Sequence, residues 1–297
     1  ELDPPQFGKV QISIKPKNGT FVSDFDKSQI KSKLKSYAIA GIDSEIVDLK
    51  ILYVEVDSNV YYNPSKIGSA IDLRTSVISA LQNYSNNVEI NKFGGRFKYS
   101  KVNQLIDRVN DGITSNITRV IIRRDLKALL NQFAQYELCF GNKFHINPGG
   151  FNIKSTGFTI SGSTSVAFFT DIPNKNASGN LDGSMKGTIS VVTRDEKNNV
   201  NVLRKEAGTV DYKKGEIILN TINITSTVEQ NDIIEIQAFP ESNDVLGLKD
   251  LFVVLDVSNS SINTLKDVIA SGEDVSGVVF SRDYYSSSYS NGALERK

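Results

Sequence analysis

Tryptophan is absent from the chain, and cysteine, histidine and methionine occur once each. With Cys139 alone no disulfide can form within the chain, and a reducing compartment is the simplest setting. With His145 alone, a zinc site or a Cys/His catalytic pair lacks the converging partners it needs, so both residues read as structural. Net charge is missing as well: 34 basic residues balance 34 acidic ones, at a pI of about 6.9. That balance argues against nucleic acid as a partner, which calls for a basic excess or patch. No apolar run approaches the ~20 residues that cross a bilayer, so membrane insertion is not expected. The opening ELDPPQFG is neither a signal peptide nor an initiator methionine, and is expected to mark a fragment, a processed chain or a trimmed one.

What remains is a chain of 297 residues, 39% hydrophobic, with 11 Tyr and 15 Phe and many Asn, Ser and Thr. That suffices for one large domain or two to three smaller ones. The Asn/Ser/Thr richness fits turns and exposed strands, and produces chance N-x-S/T matches at Asn116 and Asn223. In the first third, KVQISIKP alternates as a strand. SDFDKSQIKSKLKSYAIAGI then offers Ser23 or Asp24 as a helix cap, with Ile30, Leu34 and Tyr37 at helical spacing. Val47, Leu49, Ile51 and Tyr53 predict one long strand ending at Pro64. Ile67, Ile71, Leu73, Val77, Ile78 and Leu81 form a helical stripe. KVNQLIDRVNDG predicts a third helix, and ITRVIIRRD a further strand.

From RDLKALLNQFAQ, a short helix or a linker, the pattern turns to short strands with polar turns. YELCFGNKFHIN, GFNIKSTGFTISG, SVAFFTDIP, GTISVVTRDEKNNVNVLRKEAG, GEIILNTINI and DIIEIQAFP all read so. Near the end Leu251–Val257 is a strong strand, SINTLKDVIASGED a short amphipathic helix, and VSGVVFSRDYYSSSYSNG a last strand and tail. The expected class is α+β. A small mixed-sheet domain with packed helices occupies residues 1–130. A β-rich, sandwich-like region follows over 131–240, then a smaller α/β region of strand, helix, strand and tail over 241–297.

Chemical motifs are weak. Neither FGGRFK nor DYKKGE has the spacing of a phosphate-cradling P-loop, and Gly94-Gly95 reads as a turn. Asp24 and Asp26 belong to a helix start; Asp195-Glu196 and Glu273-Asp274 read as solvated turns rather than metal or acid/base pairs. Arg119, Arg123, Arg124 and Lys127, with Arg108, form the best basic cluster. Arg119 and Arg123 share one strand parity and Arg124 the other. A phosphate backbone or a solvated sheet edge fits them equally. No catalytic, cofactor or metal residue is assigned, and no small-molecule substrate is expected.

GTVDYKKGEIILN (208–220) is the most motif-like stretch. Val210 and Tyr212 alternate into a turn at Lys213-Lys214-Gly215, and Ile217 and Leu219 alternate out, with Ile218 on the opposite face. Gly215 can take positive φ while the lysines stay hydrated. A hairpin with a second packing surface is sufficient.

This hairpin, with FGKVQISIKPKNG, IVDLKILYVEVD, NKFGGRFKYSKVNQLIDRV and DVLGLKDLFVVLDV, resembles the C-terminal half of the large baseplate wedge proteins of T-even-type phages, related to the baseplate J family. The resemblance covers most of Val10–Val257. It implies a non-enzymatic scaffold in the virion tail baseplate, assembled in the host cytoplasm. It also implies a homodimer within each wedge, contacts with other wedge proteins, and neighbouring wedges joined in a ring around the hub. A carbohydrate- or receptor-binding tail module is the alternative. The apolar and aromatic density of the C-terminal region makes Phe252, Leu255, Tyr284, Tyr285 and Tyr289 the candidate assembly residues.

Overall fold

The computed structural model describes residues 7–15, 22–37, 41–47, 49–86, 89–195, 199–229 and 232–268. In the first half β1 (Lys9–Ser13), α1 (Asp24–Lys35), β2 (Asp43–Val47) and β3 (Lys50–Tyr62) come first. After them run α2 (Ala70–Ser85), β4 (Lys92–Phe93), β5 (Arg96–Phe97), α3 (Tyr99–Asp107), β6 (Ile113–Lys127) and β7 (Phe133–Cys139). Among the described residues the named elements of the second half are strands: β8 (Lys154–Ser155), β9 (Phe158–Ile160), β10 (Ala167–Pro173), β11 (Lys186–Arg194), β12 (Val200–Asp211) and β13 (Glu216–Thr227). Last come β14 (Ile233–Ala238), β15 (Val245–Leu246), β16 (Leu251–Leu255) and β17 (Ser261–Lys266).

Seventeen strands against three helices among the described residues overturn the expected α+β class. The three helices fall where the sequence puts them, but they do not make a packed-helix domain. α1 buries no residue at all. α2 buries Leu73, Val77, Leu81 and Tyr84, and α3 buries Val102 and Ile106. The stripe on α2 is narrower than expected, since Ile71 is 77% exposed. Both helices are patches on a sheet that continues far beyond them.

That sheet is organised around β3. On one side β6 runs antiparallel along it, from Tyr53↔Arg123 to Tyr62↔Ile113. On the other, β16 and β17 lie end to end, both parallel to it. The helix expected at SINTLKDVIASGED is therefore strand β17 in its first six residues: Ile262 is buried, and the backbone is committed to β3 from Ser261↔Asp57 onward. The gap between β16 and β17 is filled by a side chain, Ser260 Oγ accepting from Val56 N–H at 3.0 Å. The expected continuous strand from Ile46 to Pro64 is broken near Leu49. β2 leaves to pair with β1 in a separate parallel pair.

The short strands with polar turns, which favour a sandwich or a small barrel, form a closed barrel rather than the sandwich-like region expected over 131–240. β9, β10, β11, β12 and β13 each pair with the next, and β13 returns to β9. Closure leaves fewer open edges than a sandwich, the outer side of β12 before Gly208 being the exception among the described strands. β7 adds to the outside of β13. β8 pairs with both β10 and β14, and β14 pairs with β6, so barrel and main sheet share one hydrogen-bonded surface.

The hairpin at 208–220 forms as the sequence predicts. Val210, Tyr212, Ile217 and Leu219 are buried and Ile218 is 45% exposed. Gly215 sits at φ +68°, and a Cβ there would lie 2.0 Å from the Asn142 carbonyl oxygen. Inside the barrel Tyr212 Oη donates to Asp171 Oδ2 at 2.7 Å, while Ile153 N–H donates to Asp171 Oδ1 at 2.7 Å. Asp171 and Tyr212 have no exposed surface. Burial pushes both groups up, and hydrogen bonds to the Asp171 carboxyl pull it partly back.

Tyr212→Phe removes one of these partners without opening a cavity. It is expected to destabilise the chain by about 1–3 kcal/mol, the cost of an unpaired buried acceptor. Urea denaturation of the two chains side by side measures it.

Candidate functional site

The densest polar constellation lies on the face of the main sheet that carries the odd-numbered side chains of β3 and β6. Register makes it. Arg123 on β6 stands directly opposite Tyr53 on β3 and Gln237 on β14. Period-two alternation then places Glu55, Asp125 and Glu235 on the same face, one step along each strand. Asp256, the first residue after β16, reaches the same point.

Arg123 is 3% exposed. Its Nε lies 2.8 Å from Glu55 Oε1 and its Nη2 donates to Asp256 Oδ2 at 2.8 Å. Nη1 binds Glu235, Asp125 lies 3.8 Å from Nε, and the guanidinium sits 4.4 Å above the Tyr53 ring. Gln237 Nε2 donates to Glu55 Oε2 at 3.0 Å. Ser258 and Asn259 donate to Asp256. One cation thus faces four carboxylates. Desolvation first, and mutual repulsion after it, push Glu55 up to about 7 and Asp125 up to about 6, each offset in part by Arg123. The hydrogen bonds from Ser258 and Asn259, with Arg123, outweigh burial at Asp256 and hold it below its usual value. Chemically the cluster is a clamp. Its central position is filled by the guanidinium, and no group of three or more His, Cys, Asp or Glu among the described residues is arranged to hold a metal ion.

The basic cluster read from sequence does not converge. Arg119 and Lys127 are exposed, and Arg123 is inside the clamp. Arg124, on the opposite face, is 9% exposed and donates to the Cys139 carbonyl. His145 is exposed, its N–H bonded to the Phe239 carbonyl and its carbonyl to Asn152. Cys139 is half-buried, and burial pushes its thiol up. Gly94-Gly95 makes the expected turn, Gly94 at φ +60°. Ser23 caps α1, accepting from Asp26 N–H at 3.1 Å. Phe252 and Leu255 are buried in β16; Phe252 packs edge-on against Phe93 at 5.2 Å and beneath Lys15 at 4.3 Å. Tyr284, Tyr285 and Tyr289 lie outside the described residues, as does Glu273-Asp274.

An open cleft of about 480 Å³ is lined by Arg96, Lys98, Asn142, Lys143, Glu241 and Asp244. Lys143 is paired with Glu241 at 3.3 Å, and Asp244 accepts from Tyr99 N–H at 2.8 Å. More open to partners are two strand edges. The outer side of β12 is unpaired by main chain before Gly208, and Val200–Glu206 is exposed throughout. The other belongs to the β1–β2 pair, whose strands contain no buried residue. No described helix is long and apolar enough to cross a membrane.

Comparison with known families gives two matches. Residues 1–47 match the family model for baseplate structural protein gp6, C-terminal domain I, and residues 50–125 match that for C-terminal domain III of the same protein. The first covers β1, α1 and β2; the second runs from β3 to Asp125 of the clamp. A search of curated proteins finds no match.

Two outcomes test the clamp. Arg123→Met strands four carboxylates and is expected to cost about 3–5 kcal/mol in chemical denaturation. Glu55 and Asp125 have folded pKa values above their unfolded ones, so the folded state holds the extra protons. The stability they contribute is full below pH 4 and is lost as pH rises through about 6 and 7. The melting temperature is therefore expected to fall between pH 5 and about 8, and Glu55→Gln to flatten that fall.

Proposed function

We propose that this chain, in which residues 1–47 and 50–125 match two C-terminal domains of a bacteriophage baseplate structural protein, is a structural subunit of the baseplate wedge of a contractile tail. The domain matches support a structural baseplate role and a place in the virion tail. In our reading the chain dimerises, joins other wedge proteins, and links neighbouring wedges into a ring around the hub. It is assembled in the host cytoplasm, does no catalysis, and persists through the triggering of sheath contraction.

The two domain matches, in order and adjacent, carry this proposal. The fold agrees physically with a mechanical part. β3 is held along both sides by strands remote in sequence, and the barrel is fused to that sheet through β8 and β14. Such a body transmits force between contacts without a flexible joint between sheet and barrel. Phe252 and Leu255 serve the interior of that body, while Tyr284, Tyr285 and Tyr289 are proposed as outward contacts to wedge partners.

Light scattering after size exclusion, over a dilution series and with candidate wedge proteins added, tests the proposal. A defined dimer that captures a wedge protein is the expected result. A monomer at every concentration that captures none rejects it for this chain. Changing the three tyrosines to alanine is expected to weaken partner capture; unchanged capture removes that segment from the contact.

A further inference from the structure

The segment from β1 to β2 is a βαβ unit without a sealed core. None of its described residues, 7–15, 22–37 and 41–47, is buried. Its sheet has two strands, separate from the main sheet. Two strands alone are marginal in water, and parallel strands are normally covered on both faces. Among the described residues α1 packs mainly against β2. Phe7 is 96% exposed and Val10 46%. Among the described residues Lys15 ties β1's side to the body: it donates to Asn91 Oδ1 at 2.7 Å and lies over Phe252. Among the described strands β1 pairs with β2 alone, so one side of its backbone offers N–H and C=O groups to a further strand.

Charge decides which edge is usable and by what. β2 carries Asp43 and Glu45 in five residues. Two such edges brought together repel. The β12 edge carries Arg204 and Lys205 on opposite faces. Side-chain bonds from Arg204 to the Thr221 carbonyl and from Asn220 to the Glu206 carbonyl partly cover it. β1 is different: KVQIS has one charge, at its end, and that Lys9 already faces Glu45 at 3.7 Å. Laid antiparallel on itself with Gln11 at the centre, it sets Val10 opposite Ile12 and Lys9 opposite Ser13, with no like charges facing. A strand paired with its own copy about a perpendicular two-fold is antiparallel, so this register is compatible with closed symmetry.

We infer that the outer edge of β1 is the docking site for β1 of a second copy of this chain, giving a four-stranded sheet across a two-fold axis through Gln11. The inference deepens the dimer reading above and rests on it. Main-chain hydrogen bonds supply the pairing, as in other strand-addition interfaces, and the Val10–Ile12 pairs supply the apolar contact.

Cysteine cross-linking in the full chain, with Cys139→Ser, tests it. Residues directly opposite in an antiparallel pair have Cβ atoms about 4.5–5.5 Å apart, within reach of a short cysteine cross-linker. Gln11→Cys is expected to give covalent dimer. Glu45→Cys, three strand spacings or about 14 Å from its copy, and Val202→Cys on the β12 edge are expected to give none. Val10→Asp is expected to raise the protein concentration at which the dimer dissociates at least tenfold. If the chain is dimeric but Gln11→Cys does not cross-link and Val10→Asp leaves the dimer intact, the interface lies elsewhere and only the dimer reading survives. If the unmodified chain is monomeric at every concentration, the dimer reading fails and takes this inference with it.

Discussion

The fold depends on one guanidinium. Arg123 draws together carboxylates from β3, β6, β14 and the turn after β16, positions 55, 125, 235 and 256 of the chain. Three of the four are remote from it in sequence, so the contact exists only after the sheet has assembled in its native order. A buried ionic group is weak evidence for stability, because desolvation offsets most of the attraction. Its effect here is on register. A one-residue slip of β6 against β3 would turn Arg123 into the apolar face beside Val54, and bring Ile122 among the carboxylates. The clamp therefore penalises wrong pairings more than it rewards the right one. That matters in a sheet where a long central strand must choose among several apolar neighbours.

The barrel has its own version of the same constraint. Asp171 is held by the Ile153 N–H and the Tyr212 hydroxyl, which fixes β10 against the turn between β12 and β13. Gly208 allows β12 and β13 to close, since a Cβ there would lie 2.3 Å from the Ile218 carbonyl oxygen. Arg124, back to back with Arg123, then ties β6 to the end of β7 through the Cys139 carbonyl. Two adjacent arginines thus serve opposite faces of one strand, and one of them joins sheet to barrel.

Local order was legible in the sequence and global order was not. The hairpin around Lys213-Lys214-Gly215 is written in the alternation of Val210 and Tyr212 into the turn and of Ile217 and Leu219 out of it. α2 and α3 are written in their spacing. The parity of Arg123 and Arg124 correctly put them on opposite faces. Nothing local reveals that Glu55, Glu235 and Asp256 arrive beside Arg123, because that follows from strand order. The same lack misplaced the fold class: helical spacing marks α1, α2 and α3, but does not reveal that α1 buries nothing and that α2 and α3 are patches on a far larger sheet. SINTLK opens a stretch with an amphipathic helical pattern, yet over these six residues tertiary pairing with β3 wins, as it commonly does over local preference. A signal for the clamp did exist. Glu55 interrupts an apolar run on a long strand, and an acidic residue in such a run needs a buried cation.

Two kinds of segment are thereby joined in one chain. From β3 onward, buried strands, a closed barrel and a multi-strand ion cluster make a body with few open edges. The β1–α1–β2 unit has none of these devices, although it is tied to that body by Lys15 and by the short step from Val47 to Leu49. A unit so poor in buried surface gains more by adding strands than the body does. Geometry thus separates two roles, a cross-braced body and a unit with an open strand edge. The boundary between the two roles falls between residues 47 and 50, where the two matched domain families also meet.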